Sequence, residues 1–251
     1  MNLKLFSILM IGCLMISSNS HAKTFRQSIG TGNSSLDLSY ENYKIDNELK
    51  STTTGVTPAF YNGIRKSPVE RDVLILRGSY GLFDKLDVFA GIGYTYEKWT
   101  SEERSTGVEK EKQTGQDPIF ELGIKGTVFE FYEDKAYLSY LFKYSYLKSG
   151  DKYTGVPPNP TNSESIWNEY NVDLELGYRS DFYELTPYVG LSYMDLEVKQ
   201  KLDGDFSKYE NEDEFSLFLG LNKEVNEDIS LNIEGAIGAK EGISLGLNYS
   251  F

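Results

Sequence analysis

Beyond residue 22 this chain has neither cysteine nor histidine: the only thiol is Cys13 and the only imidazole is His21. Without thiols no disulfide can staple the remainder, so stability must come from elsewhere. Without imidazole the commonest general base near neutral pH is missing. Positive charge is scarce too. Lys and Arg number 25 against 38 Asp and Glu, a net charge of −13, which argues against nucleic acid as a partner. Long apolar runs are absent except at the very start, and mean hydropathy is −0.41. A helical membrane protein is thereby excluded. A β-barrel is not, because barrel strands alternate lipid-facing and lumen-facing residues and so average to an ordinary hydropathy.

The one apolar run lies in "MNLKLFSILMIGCLMISSNSHAK". Lys4 supplies a charged start, Leu5 to Ile16 an apolar centre, and Ser20-His21-Ala22 a small-residue cleavage site. This is the pattern of a secretory signal peptide over residues 1–22, too short to span a membrane as a helix. A lipid-modified Cys13 fits poorly, since the run continues through Leu14, Met15 and Ile16. Residues 23–251 then form one domain. Loss of Lys4 takes the 25 basic residues to 24 against 38 acidic, a net charge of −14.

What the rest does have is alternation. In "VDLELGY", Val172, Leu174, Leu176 and Tyr178 alternate with Asp173, Glu175 and Gly177. In "LDVFAGIGYTY", Leu86, Val88, Ala90, Ile92, Tyr94 and Tyr96 share a face. In "FELGIKGTV" the set is Phe120, Leu122, Ile124 and Val128. Period two over eight or more residues predicts strands. The pattern predicts ten: 34–45, 70–82, 86–99, 116–130, 136–148, 165–180, 185–201, 213–223, 229–238 and 243–251. Short connectors (83–85, 131–135, 181–184, 224–228) alternate with longer ones rich in Gly, Pro, Asn and charge (46–69, 100–115, 149–164, 202–212). The last outer turn, near Ala239 to Gly242, is tight. Short turns at one end and long loops at the other predict an all-β fold: a single antiparallel transmembrane β-barrel with periplasmic turns and extracellular loops. Aromatic residues fall near both ends, where amphipathic rings prefer the two interfaces. Trp99, Tyr144, Tyr146, Trp167 and Tyr193 lie toward the loops; Phe83, Phe131, Tyr132, Phe182, Tyr183 and Phe251 lie toward the turns.

The chain ends "ISLGLNYSF", alternating to its last residue. Closing a barrel requires the last strand to pair with the first, since an open edge in lipid leaves backbone groups unsatisfied. Leu245, Leu247, Tyr249 and Phe251 resemble the C-terminal signal by which the barrel assembly machinery recognises its clients. Together with hairpins such as "YGLFDKLDVFAGIGY" (residues 80–94), the chain resembles outer-membrane β-barrel proteins, including the small opacity-type and porin-like members. That resemblance implies the outer membrane of a Gram-negative bacterium. It also implies outer-membrane lipid, lipopolysaccharide and the assembly machinery as partners, with any extracellular ligand unknown. The competing fold is a soluble secreted β-sandwich, for which hairpin asymmetry and aromatic placement have no reason to exist.

Ten strands is also the count of the omptin proteases, which this architecture resembles. They use a catalytic His, as do outer-membrane phospholipases and the lipid A deacylases and acyltransferases. With no His after residue 22 none of those sites can be carried over, so no catalytic, cofactor or metal residues are expected. Projected inward, the alternation predicts a lumen lined by Asp37, Glu41, Asp87, Glu97, Glu121, Glu169, Asp173, Glu175 and Glu234. Arg71, Arg77, Lys125, Lys143 and Arg179 face them. The simplest register of the 131–135 turn sets Lys143 opposite Gly123, near Glu121, with Glu169 and Asn171 across the next hairpin. A barrel this narrow fills with its own side chains, so the expected role is non-enzymatic, structural or surface-binding, around an occluded polar lumen. The alternative is a small cation-preferring channel; a His-independent hydrolase is a third. In "DGDFSKYENEDE", Asp203, Asp205 and Glu214 match calcium-loop spacing, but Lys208 stands where glycine should be, so the segment reads as a solvated acidic loop. The Pro- and Asn-rich loop 149–164 reads as exposed surface.

Overall fold

The computed structural model describes residues 25–52, 68–103, 108–113, 116–132, 135–152, 162–180, 184–202 and 205–251. The expected signal peptide, Phe182, Tyr183, Asp203 and the middle of the loop 149–164 lie outside the described residues. In chain order the strands are β1 (Ser34–Ile45), β2 (Asn47–Thr52), β3 (Val69–Phe83), β4 (Leu86–Glu103), β5 (Val108–Gln113), β6 (Asp117–Phe131) and β7 (Ala136–Lys152). They continue as β8 (Asn162–Tyr178), β9 (Leu185–Leu202), β10 (Asp205–Asn211), β11 (Phe215–Glu224), β12 (Ile229–Gly238) and β13 (Glu241–Ser250).

Pairing runs antiparallel in the order β1-β3-β4-β6-β7-β8-β9-β11-β12-β13, and β13 returns to β1 to close a ten-stranded barrel. At the seam Leu38 faces Leu247, and Ser34 and Phe251 exchange main-chain hydrogen bonds of 3.0 and 2.9 Å. The ten-stranded wall is left without an edge, which is the condition for a sheet in lipid.

Three strands, β2, β5 and β10, were not expected; they occupy parts of the long connectors. β5 pairs with the far end of β4, while β10 lies between β9 and β2. Beyond the bilayer both faces of a strand can be wet, so segments such as "VEKEKQ" carry no apolar alternation to announce them. The wall is uneven. β7, β8 and β9 have 17, 17 and 18 residues, whereas β11, β12 and β13 have 10 each. Ten residues at about 3.3 Å each, tilted about 45°, just cover an apolar band of about 25 Å. The longer strands therefore project at the loop end. There β10 and β2 pair directly above the short β12–β13 hairpin, with Glu212 N donating to Asp46 O at 2.9 Å.

Outward positions carry the apolar belt: Ile92, Leu122, Leu174, Leu191 and Leu219 are all exposed. In water such a belt would be an aggregation hazard. One outward assignment shifts. A bulge between Thr127 and Phe129 in β6 puts Phe129, 62 % exposed, where plain alternation expected Val128. Such a bulge reverses parity and is invisible to a period-two reading. Inward glycines make room for aromatic rings on neighbouring strands. A Cβ on Gly177 would strike the Tyr137 ring, and one on Gly220 would strike both the Tyr188 ring and the Ile233 carbonyl.

Candidate functional site

The barrel interior holds nearly all the buried charge, in layers. Toward the turn end, β3 points Arg77 inward. Its Nε donates to Glu121 Oε2 at 2.6 Å, Nη1 to Asp37 Oδ1 at 3.1 Å and Nη2 to Glu41 Oε1 at 2.6 Å. Lys143 stands opposite Gly123 and Asn171, the predicted register, with Nζ 3.2 Å from Glu121 Oε1. Glu169, expected to share Lys143, instead accepts from Arg71 Nη1 at 3.4 Å and Asn171 Nδ2 at 2.7 Å. It is held by the nearer side chain on its own strand, a choice that strand pairing alone does not decide.

A second element enters this layer from below. Residues 25–33 precede β1, turn at Gly30 (φ +88°) and Gly32 (φ +80°), and run back into the lumen. Positive φ costs glycine nothing, so these two residues permit the reversal. Ser28 Oγ and Ile29 N donate to the two oxygens of Asp87 at 2.8 and 2.9 Å, and Ser28 N donates to Thr127 Oγ1 at 3.3 Å. Arg26 then reaches three carboxylates on two strands, β8 and β12. Nε donates to Asp173 at 3.0 Å, Nη1 to Glu175 at 3.3 Å and to Glu234 at 2.6 Å, and Nη2 to Glu234 at 3.2 Å. Its guanidinium carbon lies 4.2 Å from the Phe218 ring centroid. Phe25 packs edge-on against Phe89 at 5.1 Å, with Lys125 Nζ 4.4 Å and Arg77 Cζ 5.1 Å from its ring.

The outer half of the lumen departs from the expected polar interior. Ile45, Val69, Val73, Ile119, Leu147, Trp167, Leu196, Val198 and Tyr209 form one buried apolar cluster. Trp167, expected in the loop-side aromatic girdle, is 1 % exposed and points inward, beneath the Arg71 guanidinium at 4.2 Å. Its place follows from parity: Trp167 shares a face with Glu169, Asp173 and Glu175. Arg71 is bound by Glu97 through Nε and Nη2 at 2.9 and 2.7 Å, and by Tyr43 Oη at 3.1 Å. The side chain of Trp99 lies outside the described part.

Of the fourteen charged residues projected inward, Asp37, Glu41, Arg71, Arg77, Asp87, Glu97, Glu121, Lys125, Lys143, Glu169, Asp173, Glu175 and Glu234 lie in the lumen. Arg179 does not. It follows β8 and pairs with Glu130 at 2.9 Å at the turn-end rim, both side chains partly exposed. Two cations were missed. Arg26 precedes every periodic segment, and Lys240 sits in the β12–β13 turn, yet Lys240 Nζ reaches Glu41 at 2.9 Å. Neither carries a strand signal, so projection could not find them. Between residues 25–26 and Lys240 lies a cavity of about 100 Å³, well below the roughly 300 Å³ at which small-molecule sites begin. The assembly-signal residues end β13. Leu245 is outward and exposed, Leu247 less so, and Tyr249 is covered, only 9 % exposed and stacked on Phe251 at 5.8 Å.

The acidic segment, expected as a solvated loop, is strand β10 over residues 205–211, paired on both sides. Among the described residues no group of His, Cys, Asp and Glu is arranged to hold a metal ion. At the outer end, Glu197 accepts Lys199 and Lys208, each at 2.7 Å. These two ammonium groups hold its carboxyl below the usual carboxylate range, Lys199 most strongly.

No family model and no curated protein matches the chain. Solved structures do. The outer membrane protease OmpT from Escherichia coli superposes with TM-score 0.51 at 13% identity, covering 93% of this chain and 100% of that one. The outer membrane protein OprG from Pseudomonas aeruginosa superposes with TM-score 0.52 at 10% identity, covering 91% and 99%. At such identities the likeness is one of fold, and the fold is that of the outer-membrane β-barrels.

Proposed function

We propose that the protein is a non-enzymatic barrel of a Gram-negative outer membrane, closed to solutes, which acts through its outer surface and its contacts with the bilayer. One observation carries the reading: the apolar layer around Trp167 that fills the outer half of the lumen. Ions crossing it would have to shed water among side chains packed as in a protein core. Membrane residence is supported by the exposed outward belt and by the signal-peptide pattern of residues 1–22. Outer-membrane lipid and lipopolysaccharide are then the natural contacts of that belt. Leu245, Leu247, Tyr249 and Phe251 serve as the signal for the assembly machinery. The lack of imidazole after residue 22 supports a non-enzymatic role, as none of the His-dependent barrel enzymes' sites can be built.

The test is conductance in planar bilayers. No steady current is expected from the intact protein. A second reading, a small cation-preferring channel, is favoured by the surplus of carboxylates in the lumen, nine against the bases Arg26, Arg71, Arg77, Lys125, Lys143 and Lys240. A large, steady, cation-selective current would overturn the closed barrel in favour of that reading. Turnover of lipid or peptide substrates by refolded protein would overturn the non-enzymatic assignment.

A further inference from the structure

Residues 25–29 make no strand pairing of their own. Main-chain bonds tie the segment to the wall at its turn, where Gly32 N donates to Gly81 O at 2.9 Å and Gly81 N to Asn33 O at 3.0 Å, while Asn33 N closes the turn onto Gly30 O at 3.2 Å. Above that two-glycine turn the segment is held mainly by side chains from strands far away in sequence. It is seated in the manner of a bound peptide, tethered at one end. The receiving surface is also built independently of its occupant. Ser192 Oγ donates to Asp173 at 2.6 Å and Tyr137 Oη donates to Glu175 at 2.9 Å. These wall hydroxyls fix two of the three carboxylates that Arg26 meets, and Phe218 supplies the face beneath the guanidinium. Three carboxylates converge on this one guanidinium, so a cation that donates several hydrogen bonds is strongly preferred to any neutral group.

We propose that the turn half of the lumen is a binding site for a guanidinium-bearing peptide, and that residues 25–32 are its ligand in cis, a plug that seats after the wall has closed. The bidentate contact with Glu234 and the stacking on Phe218 select arginine over lysine, whose point charge offers neither. Phe25 adds a second determinant, an aromatic ring that fits against Phe89 between Lys125 and Arg77. The ligand class is therefore a short peptide carrying Phe-Arg. The plug is distinct from the apolar layer of the outer half, which closes the barrel whether or not the plug is seated.

The chain after residue 22 has no cysteine, so a single thiol reports cleanly. Thr127→Cys sets it directly beneath the plug, where Ser28 N now contacts the threonine hydroxyl. In the protein of residues 23–251 in detergent this thiol should resist a charged, water-soluble thiol reagent. Arg26→Glu, or deletion of residues 25–32, should speed labelling about tenfold or more. Arg26→Lys should fall between. An N-acetylated peptide of residues 25–32 (FRQSIGTG), added to the deletion variant, should restore protection saturably, and the same peptide with Arg26→Glu should not. Folded barrels, judged by mobility on unheated gels, that label at the unaltered rate in both Arg26→Glu and the deletion would overturn the plug. Failure of the peptide to protect a folded, fast-labelling deletion variant would overturn the binding site. If the deletion does not fold, Arg26→Glu decides the plug, and protection by the peptide in that background decides the site. Conductance plays no part here, so a conducting barrel would sink the closed-barrel reading and leave the plug standing.

Discussion

Arg77 illustrates how one residue's neighbours set the size of its effect. It bonds Glu121, Asp37, Glu41 and the Ser39 hydroxyl. Breaking a buried ion pair by removing one partner typically costs about 3–5 kcal/mol, since a charge is left uncompensated. Here the loss is uneven. Glu121 keeps Lys143 and Glu41 keeps Lys240, while Asp37 keeps the neutral Ser39 hydroxyl. Arg77→Met should therefore destabilise the barrel by about 3 kcal/mol, the low end of that range. Adding Asp37→Asn should recover part of the loss, whereas adding Glu121→Gln should recover less. Urea midpoints of the protein folded in phospholipid measure all three. Equal recovery by both second substitutions would show that Asp37 is not the stranded charge. Gly220 makes the complementary case. Gly220→Ala drives a methyl into the Tyr188 ring and a backbone carbonyl, and overpacking of this kind costs about 1–3 kcal/mol. A neutral result would mean that the ring has room to move.

Among the elements, the outer pairing of β9 and β10 combines Val198 and Tyr209 of the apolar cluster with a set of partly exposed ion pairs. Glu197 and Glu210 stand opposite each other across β9–β10, an unfavourable pair by itself. Lys208 lies between them, 2.7 Å from Glu197 and 2.9 Å from Glu210. Because Lys199 and Lys208 lower the Glu197 carboxyl below its unfolded value, its contribution is fully present above the unfolded pKa, about 4.3. It is lost as pH falls through the lower folded value. The side chains are partly exposed, so the contribution is about 0–1 kcal/mol. Amide exchange in β10 should accelerate modestly below about pH 4 relative to β8, and Glu197→Gln should abolish that difference. Identical pH profiles for the two proteins would remove the carboxylate from the explanation.

For the whole molecule the decisive contact is the seam. Phe251 contributes twice: its backbone bonds Ser34 in both directions, and its ring, partly exposed, stacks on Tyr249. Phe251→Ala keeps the first and removes the second. If the ring serves recognition and interfacial anchoring, the variant should yield less assembled barrel in cells. What does assemble should keep its strand content and its altered mobility on unheated gels. Undiminished assembly would assign the ring no role beyond packing on Tyr249.

The alternation of side chains determined, without any structure, which residues face inward along the wall strands, except past the β6 bulge and at Arg179. The pleat is a local property of an extended chain, and lipid on one side tolerates no misplacement. Closure of the last strand on the first, and Lys143 opposite Gly123, follow from the same rule plus short turns. Alternation is silent where a segment is not a wall strand, so Arg26, Lys240 and the plug were hidden. It is equally silent where both faces are apolar. In Val73-Leu74-Ile75-Leu76 nothing local separates the residues that meet lipid from those that fill the lumen, so the apolar outer layer emerged only from the closed barrel. Which carboxylate binds which cation was likewise left to the tertiary structure. Such pairs join strands far apart in sequence, and their distances are set by the curvature and stagger of the closed wall, which no single strand encodes.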